Sequence, residues 1–218
     1  IGTNSGICKF DGYNFKTYYL GNKSPGEEAF TIRCFHEDSK SRLWIGTEGA
    51  GLVLYNSSKD DFSYFSNNDS SDNCISSNLI YSITSDDSGI IWVGTDKGIN
   101  SFNPETEEFK WIQKNERALS SISSNLVQKI FIDNTGKIWI GTPGGLDRYD
   151  QKTGSIFHYN LNAVSNISAN EPGNVQDISQ DMSGNLLIGS YNIGLFILTN
   201  KEDDITNIIH EKNYSRSY

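Results

Sequence analysis

Apolar residues in this chain occur in short runs, without the three-to-four-residue spacing of an amphipathic helix. Runs such as Leu43–Thr47, Ile91–Thr95 and Ile138–Thr142 combine β-branched and aromatic residues without strict alternation. Such runs are typical of strands that are covered on both faces. The pattern therefore predicts an all-β protein, and no stretch predicts a long amphipathic helix.

The runs belong to a repeat built around the tripeptide Ile-Gly-Thr. The tripeptide, or a close variant of it, returns at nearly even intervals, and its glycines are Gly2, Gly46, Gly94, Gly141 and Gly189. Two residues before the glycine stands Trp44, Trp92 or Trp139, replaced by Leu187 in the last copy. Six residues before that position is always an aspartate, namely Asp38, Asp86, Asp133 or Asp181.

Each repeat contains four predicted strands. The step from the aspartate to the next run is a tight turn, because Asp can bond its own backbone and Gly can adopt a positive φ. Four strands in about 47 residues, repeated in tandem, form the unit of a β-propeller. We therefore predict an all-β propeller, or part of one, of four-stranded antiparallel blades, with four complete blades and one partial blade.

The predicted blades cover residues 1–20 (partial), 30–66, 78–113, 125–160 and 173–211 of a single propeller spanning 1–218. This count fits either a piece of a larger propeller or a closed ring of five blades. We expect the piece, because nothing after Tyr214 resembles the first strand that the partial blade would need.

The repeated tryptophans and aspartates have structural explanations. Tryptophan at a fixed place in each repeat is expected in the core, although an aromatic face also packs well against sugars. The aspartates lack the dense oxygen spacing of a calcium loop, so they are expected to cap turns. Trp111 stands outside the repeat and is not assigned by it.

The formal net charge of −9 repels a phosphate backbone, so nucleic acid is not an expected partner. No run of about 18 apolar residues is present that would span a bilayer. The cysteines Cys8, Cys34 and Cys74 are too few and too widely spaced for a zinc site. A Cys8–Cys34 disulfide stays open, but unpaired thiols are the expectation.

Three segments of one repeat resemble a known family. Asp133–Thr142 (DNTGKIWIGT) followed by Gly145–Asp150, with Ser120–Asn125 ahead of the first strand, is similar to the regulator-propeller repeat of hybrid two-component sensors of gut Bacteroidetes. The resemblance implies a periplasmic, ligand-sensing propeller of an inner-membrane histidine kinase, with a polysaccharide-derived oligosaccharide as ligand. It also implies control of carbohydrate-utilisation genes and a possible homodimer formed through the parent protein. Kinase activity and membrane attachment would lie in other parts of that protein.

Loops on a rigid scaffold are the usual place for binding residues. The turns between second and third strands should share one face with the loops that lead into each first strand. They differ from repeat to repeat between fixed glycines. We therefore predict ligand-binding residues at Glu48, Asp96, Lys97, Tyr191 and Asn192.

No catalytic residue, metal ligand or cofactor is predicted. The histidines His36, His158 and His210 lack metal-ligand spacing, and no nucleophile elbow or phosphate-binding loop occurs. We therefore expect that this chain is not an enzyme. Two alternatives stay open, namely a protein-interaction or dimerisation propeller without a small ligand, and a lyase-type propeller enzyme.

Overall fold

The chain folds into five antiparallel β-sheets in a computed structural model. The model describes residues 1–4, 6–20, 30–67, 73–115, 121–159, 161, 173–199 and 205–209. Four of the sheets have four strands and one has three, as predicted. The fold class predicted from the repeat is therefore confirmed.

The strands follow one another in chain order within every sheet. The first sheet contains β1 (Gly2–Thr3), β2 (Gly6–Phe10) and β3 (Phe15–Tyr18). The second contains β4 (Thr31–Glu37), β5 (Leu43–Glu48), β6 (Leu52–Asn56) and β7 (Asp61–Phe65). The third contains β8 (Ile80–Ser85), β9 (Ile91–Thr95), β10 (Gly98–Asn103) and β11 (Glu108–Ile112). The fourth contains β12 (Lys129–Ile132), β13 (Ile138–Thr142), β14 (Gly145–Tyr149) and β15 (Ile156–Tyr159). The fifth contains β16 (Val175–Gln180), β17 (Leu186–Ser190), β18 (Gly194–Leu198) and β19 (Ile205–Ile209).

The first strands of the complete sheets lie side by side. Strand β4 contacts β8, β8 contacts β12, and β12 contacts β16, while β1 and β2 of the first sheet contact β4. The four first strands, β4, β8, β12 and β16, are called the inner strands below. This successive contact is the arrangement of blades around a propeller axis.

Each hydrophobic core cluster lies between two neighbouring sheets. Trp44 and Leu52 of the second sheet, for example, pack with Ile80, Ile91 and Phe102 of the third. The same holds between the other consecutive sheets. Both faces of an internal sheet are therefore buried, which explains why its strands are apolar without alternation.

The repeat glycines allow the next inner strand to approach closely. A Cβ atom on Gly94 would lie 2.9 Å from Cγ1 of Val127, and one on Gly141 would lie 2.7 Å from Cγ1 of Val175. On Gly189 of the fifth sheet it would meet only the Asp177 carbonyl, at 3.8 Å. The glycine is thus required where a neighbouring sheet packs against it.

The repeated aspartates cap the turns between first and second strands, as predicted. In Asp133, Oδ1 accepts hydrogen bonds from the amides of Thr135 and Lys137 at 2.9 and 3.0 Å. Its Oδ2 accepts the indole N–H of Trp139 at 2.8 Å, a bond that was not predicted from the sequence. The same three bonds form around Asp38 and Asp86.

The fifth sheet replaces the tryptophan without losing the cap. Leu187 stands at the tryptophan position, and Asp181 accepts the side-chain amide of Asn185 at 2.8 Å instead. Trp44, Trp92 and Trp139 are all buried, which confirms their assignment to the core.

The three cysteines have free thiols, so the alternative of a Cys8–Cys34 disulfide is not formed. Among the described residues, no helix is both long enough and apolar enough to cross a membrane.

Candidate functional site

One face of the structure gathers the segments that differ between repeats. It is formed by the turns between second and third strands and by the loops that enter the inner strands, and it is called the loop face below. Backbone hydrogen bonds join the two sets. Three are Gly98 N to Asn125 O at 2.7 Å, Gly49 N to Asn78 O at 2.9 Å, and Tyr191 N to Asn174 O at 2.9 Å.

The predicted site residues lie on this face, in the turns of three different sheets. Glu48 ends β5, and Asp96 and Lys97 form the turn between β9 and β10. Tyr191, which is 82% exposed, and Asn192 form the turn between β17 and β18. Their role in ligand binding stays a prediction.

Two of these residues are already engaged with neighbours. A carboxylate oxygen of Glu48 lies 2.6 Å from a guanidinium nitrogen of Arg33. The side-chain oxygen of Asn192 accepts the amide of Asn174 at 3.2 Å and the hydroxyl of Ser190 at 3.0 Å. Asn192 therefore helps to fix the loop that enters β16.

The inner strands carry a second set of variable positions, which were not predicted from the sequence. The pairing register shifts between Ile32 and Cys34, between Ile80 and Ser82, and between Val175 and Asp177. Each shift leaves one residue unpaired opposite the repeat glycine. These residues are Arg33, Tyr81 and Gln176. A β-bulge of this kind redirects a side chain and often occurs next to a binding site.

Gln128 completes the set in the fourth sheet. It lies 13 residues before the repeat glycine Gly141. The same spacing separates Arg33 from Gly46, Tyr81 from Gly94 and Gln176 from Gly189. Its amide donates to the Gly141 carbonyl at 2.9 Å, directly ahead of the paired part of β12. Arg33, Tyr81, Gln128 and Gln176 are called the bulge positions below.

The bulge positions of neighbouring sheets reach one another. The guanidinium carbon of Arg33 lies 5.1 Å from the centre of the Tyr81 ring, within cation–π distance. Because Arg33 also pairs with Glu48, one cation links an inner strand, a turn and the next sheet. The loop face and the inner strands thus form one continuous polar surface at this point.

The next position along the inner strands holds a second ion pair. Lys129 of β12 lies 2.6 Å from the carboxylate of Asp177 in β16.

The residue of β4 equivalent to Lys129 is Cys34, whose thiol pKa is raised to about 12 by burial. This thiol therefore stays protonated and is a poor nucleophile.

Two acceptor oxygens on this surface have no donor. Oδ1 of Asp96 and Oε1 of Gln128 are buried and lack a hydrogen-bond partner within the described part of the chain. A buried acceptor without a partner costs about 1–3 kcal/mol. Neither atom is exposed, so both are internal to this surface and are not contact points for a ligand.

A Ser–His–Asp cluster lies where the loop entering β12 meets the fourth sheet. The hydroxyl of Ser123 donates to Oδ1 of Asp147 at 2.6 Å, and its amide donates to Oδ2 at 2.7 Å. Nδ1 of His158 lies 2.6 Å from Asp147 Oδ1 and 3.2 Å from Ser123 Oγ. Serine and carboxylate thus share one ring nitrogen, whereas a catalytic triad uses one nitrogen for each.

In the third sheet, an asparagine replaces the aspartate and binds the equivalent serine. Asn100 occupies the position of Asp147, accepts the amide of Ser76 at 2.8 Å and donates to the Ser76 hydroxyl at 2.8 Å. Both clusters therefore fix the loop to its sheet. They were not predicted from the sequence because their members are far apart in the chain.

Of the remaining histidines, only His36 lies in the part of the chain that the structure describes. Nε2 of His36 lies 2.8 Å from the hydroxyl of Ser85, and burial lowers the pKa of the imidazole. His210 lies outside the described residues. No group of three or more His, Cys, Asp or Glu residues that could hold a metal ion occurs in the parts of the chain that the structure describes.

Comparison with known protein families identifies the same repeat in three segments of the chain. The family described as two-component regulator propeller matches residues 30–49, 74–97 and 121–144. The comparison with curated protein sequences gave no significant match.

Solved structures share the fold over nearly the whole chain. The extracellular domain of BT3049 from Bacteroides thetaiotaomicron, assigned as a hybrid two-component system, is 26% identical over 94% of this chain, with a TM-score of 0.75. That of BT4673 from the same organism is 23% identical over the full chain, with a TM-score of 0.65. The chain spans only 27% and 32% of the lengths of these two proteins.

An enzyme also shares the architecture. Virginiamycin B lyase from Staphylococcus aureus is 14% identical over 98% of this chain and 66% of its own, with a TM-score of 0.68. At this sequence identity, the similarity shows a shared fold and nothing about activity.

The chain is therefore a β-propeller protein built from tandem four-stranded sheets. More specifically, its segments 30–49, 74–97 and 121–144 match the two-component regulator propeller repeat, and the two solved structures from Bacteroides thetaiotaomicron that share its fold are extracellular domains of hybrid two-component systems.

Proposed function

We propose that this chain is an extracytoplasmic, periplasmic ligand-sensing region of a hybrid two-component signalling protein. Its ligand is an oligosaccharide released from a polysaccharide, bound on the loop face, and the resulting signal controls genes for carbohydrate use. The kinase that transmits the signal belongs to another part of such a protein, and a homodimer forms through that protein.

The observation that carries the proposal is the set of bulge positions. One such position occurs in each complete sheet, always at the same offset ahead of the repeat glycine, and its residue is Arg33, Tyr81, Gln128 or Gln176. The surrounding frame of glycines and β-branched residues is repeated, whereas these side chains differ in charge, shape and hydrogen bonding. Variable chemistry on a fixed scaffold is expected of a recognition surface.

The chemistry of this surface favours an uncharged ligand with many hydroxyl groups. The two cationic residues of the inner strands, Arg33 of β4 and Lys129 of β12, are each paired with a carboxylate. The side-chain amides of Gln128 and Gln176 and the hydroxyl of Tyr81 are groups that can exchange hydrogen bonds with hydroxyl groups. The Tyr81 ring adds an aromatic surface of the type that packs against sugars.

The test is thermal unfolding of the chain against a panel of oligosaccharides that differ in linkage and charge. A ligand present at 100 times its dissociation constant adds about 2.7 kcal/mol to the free energy of unfolding. We expect a selective rise of several degrees with one class of neutral oligosaccharide. A flat response across the panel would contradict ligand sensing and favour the protein-interaction alternative.

A further inference from the structure

An arginine covers the repeat tryptophan in the second and fourth sheets. The guanidinium carbon of Arg42 lies 5.6 Å from the centre of the Trp44 ring, and that of Arg148 lies 5.8 Å from the centre of the Trp139 ring. Both distances are within the range of a cation–π contact. Nε of Arg42 also donates to Oδ2 of Asp38 at 2.7 Å, the oxygen that accepts the Trp44 indole N–H.

The third sheet has no arginine at either position. Arg42 stands four residues before its repeat glycine, where the third sheet has Ile90. Arg148 stands opposite the tryptophan in the strand pairing, where the third sheet has Ser101. Trp92 is accordingly the most exposed of the three repeat tryptophans, at 5% against 0% and 2%.

A groove between the third and fourth sheets lies where an arginine lies in the other two sheets. Its lining includes Trp92, together with Ile90 and Ser101 at the two arginine positions. Tyr149 of the fourth sheet also lines it, with a ring centre 5.8 Å from that of Trp92. The volume is about 260 Å³, below the roughly 300–1,000 Å³ that is typical of pockets for drug-sized ligands. The groove therefore suits a single side chain that packs against aromatic rings.

The charges around this groove favour a cation. Asp86 and Glu108 contribute two carboxylates to the lining, against the single ammonium group of Lys110. Oδ2 of Asp86 accepts the Trp92 indole N–H at 2.9 Å and the side-chain amide of Gln151 at 3.2 Å. The second bond is at the long end of the usual range, and a charged donor forms a shorter and stronger bond to a carboxylate. A guanidinium can therefore replace the Gln151 amide at this oxygen.

We propose that the groove binds the guanidinium group of an arginine side chain carried by a second polypeptide. The group lies against the Trp92 ring and donates hydrogen bonds to Asp86 and Glu108. Arginine is the expected occupant because arginines of this chain fill the same place in the second and fourth sheets, and because a planar guanidinium both stacks on aromatic rings and pairs with carboxylates. The groove lies at the capped turns, away from the loop face, so this proposal is independent of the oligosaccharide.

The first test is an NMR titration with N-acetyl-arginine methylamide, with N-acetyl-citrulline methylamide as the matched neutral compound. We expect saturable shifts of the Trp92 indole N–H and of the Ser101 and Lys110 amides with the arginine compound alone. The indole signals of Trp44 and Trp139 should not move, because an arginine of the chain already covers each ring. Absence of binding, equal binding of both compounds, or shifts of all three indoles would overturn the proposal.

Charge variants test the electrostatic part of the proposal. Glu108→Gln should weaken binding of the arginine compound by roughly two- to fivefold, as expected for a partly exposed ion pair, and Lys110→Gln should tighten it because a like charge is removed. Glu107→Gln is the matched control, because Glu107 is adjacent in sequence but does not line the groove. Equal affinities of Glu108→Gln and Glu107→Gln would contradict pairing with Glu108.

A last pair of variants supplies the guanidinium from within the chain. Ile90→Arg places an arginine where the second sheet has Arg42, and Ile90→Gln loses the same isoleucine without gaining a charge. We expect Ile90→Arg to abolish binding of the arginine compound and to have a higher midpoint of urea unfolding than Ile90→Gln. Undiminished binding to Ile90→Arg would show that the compound lies elsewhere and would refute the proposal.

Discussion

In three sheets, an aspartate in the turn ahead of the second strand joins that turn to a tryptophan. Asp38, Asp86 and Asp133 each accept two backbone amides and one indole N–H. Hydrogen bonds to a charged group contribute more than those between neutral groups, about 1.5–3 kcal/mol. The two most regular features of the repeat, Asp and Trp, are thus one structural unit.

Replacement of Trp139 by Phe tests this unit. The substitution keeps an aromatic ring in the core but removes the donor to Asp133, so we expect a loss of about 1.5–3 kcal/mol in the free energy of unfolding. Urea denaturation provides the measurement. In a double-mutant cycle with Asp133→Asn, the two substitutions should be non-additive. Strict additivity would show that the pair does not interact.

The same unit makes stability depend on pH. Burial alone would raise the pKa of Asp38, but hydrogen bonds from the Trp44 indole and from Arg42 hold that pKa below its ordinary value. A lowered folded-state pKa means that the stabilisation is complete above the unfolded value of about 3.9 and is lost as pH falls through the folded value.

Unfolding midpoints measured between pH 6 and pH 2 test whether stability is lost as the pH falls. We expect the midpoint of the native chain to fall steeply below about pH 4. The Asp38→Asn variant should start less stable and lose less over the same interval. A parallel decline of both proteins would rule out a contribution from Asp38.

At the scale of the strand and sheet, the repeat glycine is the point where neighbouring sheets touch. Gly94 lies against Val127, just ahead of β12, and Gly141 lies against Val175 of β16, whereas a Cβ on Gly189 would meet only the Asp177 carbonyl, at 3.8 Å, among the described residues. The repeat glycine therefore has different packing in the fifth sheet.

Alanine substitution distinguishes these two environments. For Gly94→Ala, the added methyl group would lie 2.9 Å from Val127 Cγ1 and 3.0 Å from its carbonyl oxygen. Overpacking of this kind costs about 1–3 kcal/mol, measured by thermal unfolding. Gly189→Ala is the matched control, and we expect a change within about 0.5 kcal/mol. Equal losses at both positions would contradict the packing described.

The sequence predicts much of this element-level structure because the signals are local and repeated. The spacing of Asp, Trp and Gly within each repeat is enough to predict four strands and capped turns. The bulge positions were missed because a bulge is a property of the pairing between two strands. Their constant offset from the repeat glycine, with a β-branched residue just ahead, is nevertheless present in the sequence.

The Ser123–Asp147–His158 cluster could not be predicted in the same way. Its members are 24 and 35 residues from Ser123 along the chain, and they meet only when the loop docks on β14 and β15. Asp147 is fully buried, which is unusual for a charged residue and is explained by these partners.

The whole molecule presents two distinct surfaces. The loop face carries the predicted residues Glu48, Asp96, Lys97, Tyr191 and Asn192 together with the bulge positions. The opposite face carries the capped turns, where Lys40 and Arg42 of one sheet pair with Glu105 of the next. Contacts on that face join neighbouring sheets.

Calorimetric titration with an oligosaccharide that stabilises the chain tests the central claim most directly. The titration compares the native chain with Tyr81→Ala and Gln128→Ala on the loop face, and with Lys152→Ala on the opposite face, after thermal unfolding has verified that each variant is folded. We predict that Tyr81→Ala and Gln128→Ala weaken binding by about tenfold or more, equal to about 1.4 kcal/mol, while Lys152→Ala has no effect. Unchanged affinity in both loop-face variants would contradict ligand recognition at the bulge positions.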